Sequence, residues 1–150
     1  MKIITSKDVV EFLDIPYQTL HLWTKRGILG PRFIATGPGS TRQFGLKELV
    51  ILRVAQRFHS IAKEMEIIKQ VAAELNRAWD TLDFDFTPFM VVTIYEGRLY
   101  NVVWAQPEIR YSEEWVKKGI ITLISVKAIM DEARRFLENV GIEKQPALIK

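Results

Sequence analysis

Apolar residues recur three, four and seven positions apart through most of the chain, the period of helices buried along one face. Val9, Val10, Phe12 and Leu13 mark a first short helix. Thr5 or Ser6 supplies its cap, with Asp8 three residues after Thr5 as the reciprocal acid of a capping box. Asp14-Ile15-Pro16 stops it, because Pro16 lacks an amide donor and disfavours helical geometry at Ile15. Tyr17 to Arg26 forms a second helix, stopped by Gly27. Leu20 and Trp23 face inward, whereas Tyr17, Gln18, His21, Leu22 and Lys25 fall nearer the other face. A third helix carries Leu46, Leu49, Val50, Leu52, Val54, Ala55 and Phe58. A fourth, from Lys63 to Trp79, carries Met65, Ile68, Val71, Ala72, Leu75 and Trp79.

After residue 79 the pattern changes. Asp80 to Pro88 is acidic and reads as a linker. Residues 89–95 and 98–104 are rich in β-branched and aromatic side chains and separated only by Glu96-Gly97, which predicts a tight hairpin with Gly97 at positive φ. Ser112 caps a single turn through Glu113, Glu114, Trp115 and Val116 that Gly119 ends, and Ile120 to Ile124 gives a third strand. Ser125 then caps a last helix whose stripe is Val126, Ile129, Met130, Ala133, Phe136, Leu137 and Val140, with Gly141 as its stop. One helix on three strands covers one sheet face and leaves the other face, or an edge strand, in need of a partner. A second copy of the chain is the simplest one.

Two short helices joined by so tight a turn are the minimal helix-turn-helix. Downstream of it, Thr36-Gly37-Pro38-Gly39-Ser40 divides Arg32-Phe33-Ile34-Ala35 from Thr41-Arg42-Gln43-Phe44, which predicts a small hairpin, or wing. With these residues in place, residues 5 to about 75 resemble the winged helix-turn-helix of the MerR family of transcription regulators. The matching positions are Thr19-Leu20, Trp23, Arg26-Gly27-Ile28-Leu29 and Thr41-Arg42-Gln43-Phe44. The chain departs from the family at His21, where an Arg is usual, at Leu22 in place of an aromatic, at Thr24 in place of an acid, and at Thr41 in place of a Tyr. The resemblance implies binding to double-stranded DNA, without the family's base preference. It fades after the fourth helix, where the family continues into a long dimerising helix and this chain does not.

The expected architecture is therefore α+β: a MerR-like winged helix-turn-helix of four helices and a small wing over residues 1–79, then a small ββ(turn)βα unit over residues 80–150. Charge follows the same division. Residues 1–79 hold 12 Lys or Arg against 7 Asp or Glu, a net of +5, and residues 80–150 hold 9 against 11, a net of −2. A basic half attracts a phosphate backbone, although a solvated surface of ordinary composition has the same count. The absence of Cys excludes disulfides and thiolate metal sensing, and only His21 and His59 remain as soft ligands. No metal or cofactor is expected. No apolar run reaches the length of a membrane span, so a cytoplasmic protein with no membrane partner is expected.

Residue roles on the second helix follow from groove chemistry. Gln18 suits an adenine edge and Leu22 a thymine methyl, while Tyr17, Thr19, His21 and Lys25 suit phosphates. Arg26 has two readings, a DNA contact or a cation at a helix C-terminus. Arg42 is the family's wing contact to the backbone, with Arg32, Ser40 and Thr41 as weaker wing candidates. The resemblance also implies a homodimer on two half-sites and leaves RNA polymerase and a small-molecule effector open as partners. Tyr95, Tyr100, Trp104, Tyr111 and Trp115 offer an aromatic pocket for such an effector, though core or dimer packing accounts for them better. Two other classes compete: a DNA-bending excision or partition factor, and a protein interaction module on the same scaffold. An enzyme has no support, for there is no Cys nucleophile, no His pair at metal spacing and no phosphate-binding loop.

Overall fold

The computed structural model describes residues 4–30, 43–60, 64–106 and 120–143. They form five helices and a three-stranded antiparallel sheet, an α+β fold. The order is α1 (Ser6–Leu13), α2 (Tyr17–Lys25), α3 (Leu46–His59), α4 (Met65–Ala78), β1 (Phe89–Tyr95), β2 (Arg98–Ala105), β3 (Ile120–Ser125) and α5 (Val126–Glu143).

Each boundary of the first two helices has a local cause. The Thr5 amide and hydroxyl both donate to Asp8 Oδ2, at 3.1 and 3.2 Å, which is the reciprocal half of the expected capping box. Asp14 closes α1 in the left-handed region, φ 53°, a conformation that a short polar side chain tolerates. Gly27, at φ +86°, turns the chain away after α2, where a side chain would be strained. Phe44, at the end of the sequence-predicted wing, is fully buried and exchanges two 2.9 Å backbone hydrogen bonds with Ile4, which ties the start of the chain to the entry of α3. Gly45 N–H then donates to Glu48 Oε1 at 2.8 Å to open α3.

α3 is the centre of the molecule. Leu49 to Leu52, Val54, Ala55 and Phe58 are buried, and the helix packs against α1, α4 and α5. The stripe of α4 (Ile68, Val71, Ala72 and Leu75) fills the same core, and α4 goes on to touch β2.

The sheet order is β2-β1-β3. Glu96 and Gly97 both have positive φ, 50° and 72°, which is the two-residue turn whose twist matches paired strands. Register runs from Phe89↔Ala105 to Thr93↔Asn101, then shifts to Ile94↔Leu99, so that Tyr100 is the extra residue of a bulge. α5 starts where the Val126 and Ala128 amides find Pro88 O at 2.9 Å and Ser125 Oγ at 3.3 Å, as the expected serine cap requires.

Two sequence expectations change. Residues 80–88 are a packed connection rather than a loose linker. Phe84 is buried, with its ring 5.5 Å from both Trp79 and Trp104, and Asp85 pairs with Lys127 at 2.8 Å. Gly141 does not stop α5, which runs on to Glu143. The backbone entropy lost by glycine in a helix costs only about 1 kcal/mol relative to alanine, so a lone glycine is a weak stop. In β1, Met90, Val92 and Ile94 on one side join the core and Val91 and Thr93 on the other are buried, while Leu123, paired with Val91 from β3, is 45% exposed. The predicted turn at residues 112–116 and Gly119 lie outside the described residues.

Candidate nucleic-acid interface

A groove reader needs a helix held firmly along one side and bare along the other. α2 is built that way. Leu20, Trp23 and Thr24 are buried, and Ile28 and Leu29 continue the buried edge past its end. The Trp23 ring lies 6.1 Å from that of His59 at the C-terminus of α3. Thr24, where the family carries an acid, is fully buried, with its hydroxyl 3.1 Å from Leu20 O and 2.9 Å from His21 O. That hydroxyl is satisfied within its own helix, so the departure from the family pattern falls in the core and leaves the outward face unchanged.

On the other side Tyr17, Gln18, His21, Leu22, Lys25 and Arg26 are all exposed and Thr19 is half-buried. Positions 17, 18, 21, 22 and 25 form a single continuous arc of a 3.6-residue helix. Two members are apolar: Tyr17 is 57% exposed and Leu22 43%. Leu22, at one edge of the arc beside Gln18, is a large aliphatic side chain held in water, with the chemistry of a thymine-methyl contact. Lys25 and Arg26 put two cations at the end of the arc, and Arg26 stands at the C-cap of α2, where its charge also meets the helix dipole.

The entry turn is anchored from α3. At the end of α1 the last carbonyls have no intrahelical donors, and Pro16 brings none. Arg53 Nη2 donates to Phe12 O at 2.9 Å and Gln56 Nε2 to Leu13 O at 2.6 Å. Arg53 Nη1 reaches Gln56 Oε1 at 2.6 Å, joining the two anchors. Arg53 and Gln56 are absent from the sequence-derived candidates. The signal that could have found them is a cation inside an apolar run, Leu52-Arg53-Val54, since such a residue survives burial only with partners.

Of the nominated residues, the structure brings together those on α2. Arg32, Ser40, Thr41 and Arg42 lie outside the described residues, although the Ile4 and Phe44 pairing fixes where that segment rejoins the fold. Of the five nominated aromatics two are described: Trp104 is half-buried against Phe84 and donates Nε1–H to Glu74 Oε1 at 3.1 Å, while Tyr95 stands exposed at the hairpin end. Tyr111, Trp115 and the Tyr100 side chain lie outside the described residues. Among the described residues there is no cluster of His, Asp or Glu suited to a metal ion, and no helix is long and apolar enough to cross a membrane.

Residues 4–75 match the family model described as MerR HTH family regulatory protein, a span that runs from the Ile4 bridge through α1, α2 and α3 into α4. No curated protein matches the chain. The N-terminal part of the chain is thus similar to the helix-turn-helix of MerR family regulatory proteins.

Proposed function

We propose, from the MerR-like helix-turn-helix of residues 4–75, that the protein is a sequence-preferring regulator that binds double-stranded DNA as a homodimer. The observation that carries the reading is the bare arc of α2, Tyr17, Gln18, His21, Leu22 and Lys25, on a helix whose opposite side is buried. In this account α2 lies in the major groove, with Gln18 and Leu22 at base edges and Tyr17, Thr19, His21 and Lys25 at phosphates. Arg26 stands at the arc's end, and Arg42, with Arg32, Ser40 and Thr41, serves the wing against the backbone. Residues 1–79 supply the reader and residues 80–150 the contact between copies, so that two recognition helices meet successive half-sites. The same fold serves DNA-bending excision or partition factors equally well.

Salt titration of binding to mixed-sequence duplex DNA tests the reading. Log affinity is expected to fall steeply with log salt, with a slope lower by about one in an Arg42→Ala variant. Absence of any duplex affinity at low salt would instead favour an interaction module built on the same scaffold.

A further inference from the structure

Arg53 does more than anchor the entry turn. Its side chain is only 15% exposed, its guanidinium carbon lies 4.4 Å from the centroid of the Phe12 ring, and its Nη2 also reaches Glu132 Oε1 on α5 at 2.6 Å. One turn further along α5, Phe136 meets Phe12 with ring centroids 5.0 Å apart. Residues 132 and 136 share one helix face. The second half of the chain therefore reaches the end of α1 twice, directly through the Phe136 ring and indirectly through Arg53 of α3, which Glu132 holds.

We infer that Glu132 is a positioning residue for DNA binding, which holds Arg53 on Phe12 O and so fixes the turn from which α2 is presented. The inference rests on the DNA-reading role proposed for α2. Without the carboxylate, a guanidinium mostly withdrawn from water has no counter-charge and turns outward toward solvent. Phe12 O then loses its donor, and α1 keeps only the Gln56 anchor at its end. The recognition helix is less well pre-organised, and ordering it on DNA weakens binding.

The sign of the effect separates this account from simple electrostatics. Removing a negative charge from a protein that binds a polyanion should by itself tighten binding. The inference requires the reverse. Glu132→Ala is expected to bind duplex DNA about fivefold more weakly at a temperature where it is fully folded, with an unchanged salt slope because no phosphate contact is lost. Glu132→Gln keeps an acceptor for Arg53 and should recover part of the loss. Adding Arg53→Met to Glu132→Ala should cost little more than either change alone, because both break one connection. Ile94→Val, a core change in β1, should leave affinity unchanged. Amide exchange at residues 12–15 should rise in Glu132→Ala and in Phe136→Leu, which carries the test should Glu132→Ala fold poorly.

Wild-type or tighter affinity in folded Glu132→Ala overturns the inference and leaves the regulator reading intact. So does unchanged exchange at residues 12–15 in both variants. Failure of the wild-type protein to bind duplex DNA overturns both together.

Discussion

Gln18 and Lys25 lie seven residues apart, two turns along α2, on one line of its exposed side. Their chemistries predict different losses. Lys25→Ala is expected to weaken binding to every duplex alike and to lower the salt slope by about one, as measured by titration on specific and scrambled DNA. Gln18→Ala should cost about 1–3 kcal/mol on the preferred site and relax preference at one base pair, as read by selection from a random pool. Loss of affinity on scrambled DNA as large as on the preferred site would remove Gln18 from base reading. A third residue reports on stability instead. The Arg77 guanidinium, by hydrogen bonding, holds the Glu74 carboxyl below its ordinary value of 4.5, with burial opposing and the Trp104 indole N–H helping. A depressed carboxylate stabilises the fold above its ordinary value, and the contribution disappears as pH falls through the lower folded value. Urea unfolding of Glu74→Gln should therefore lose less stability than wild type between pH 7 and pH 3. The difference is small, at most about 0.5 kcal/mol, because solvent screens the pair. Equal pH dependence would contradict the assignment.

The turn of the hairpin is an element held at a cost. Glu96 occupies φ 50° beside Gly97, and a glutamate is poorly suited to that region. Glu96→Asn should raise stability by about 0.5–1 kcal/mol, a rise of a few degrees in melting temperature. At the other end of the chain Asp8→Ala removes the acceptor for both Thr5 donors and should lower stability by about 1 kcal/mol. The helices and the hairpin were legible because periodicity, caps and turn residues are local signals. What was not legible depends on neighbours distant in sequence. Phe84 packs because Trp79 and Trp104 flank it, and Arg53 is tolerated within an apolar run because Phe12 O and Glu132 meet it from other helices. Gly141 was misread as a stop for the same reason: packing of Leu137 and Val140 carries α5 past a residue of low propensity.

In the molecule as a whole, the proposed division of roles near residue 79 lies across shared packing, since α3 rests on both α4 and α5 and one buried cluster of the described residues runs from Ile4 to Val140. Denaturant unfolding should accordingly show one transition, coincident by fluorescence and circular dichroism. Two separated transitions would mean that the halves fold independently. Of the candidate interface, the outward arc of α2 was legible from spacing alone, because burial of Leu20 and Trp23 forces Tyr17, Gln18, His21, Leu22 and Lys25 outward. Its anchoring through Arg53 and Gln56 was not legible, because those contacts span more than forty residues of sequence. The most direct measurement is a heteronuclear NMR titration of the full chain with a short duplex at low salt. The resonances of Tyr17, Gln18, His21, Leu22 and Lys25 are expected to shift together and saturably, with those of the sheet little changed. Saturable shifts confined to β1–β3, or no shift anywhere at high duplex concentration, would contradict the DNA-reading role proposed for α2.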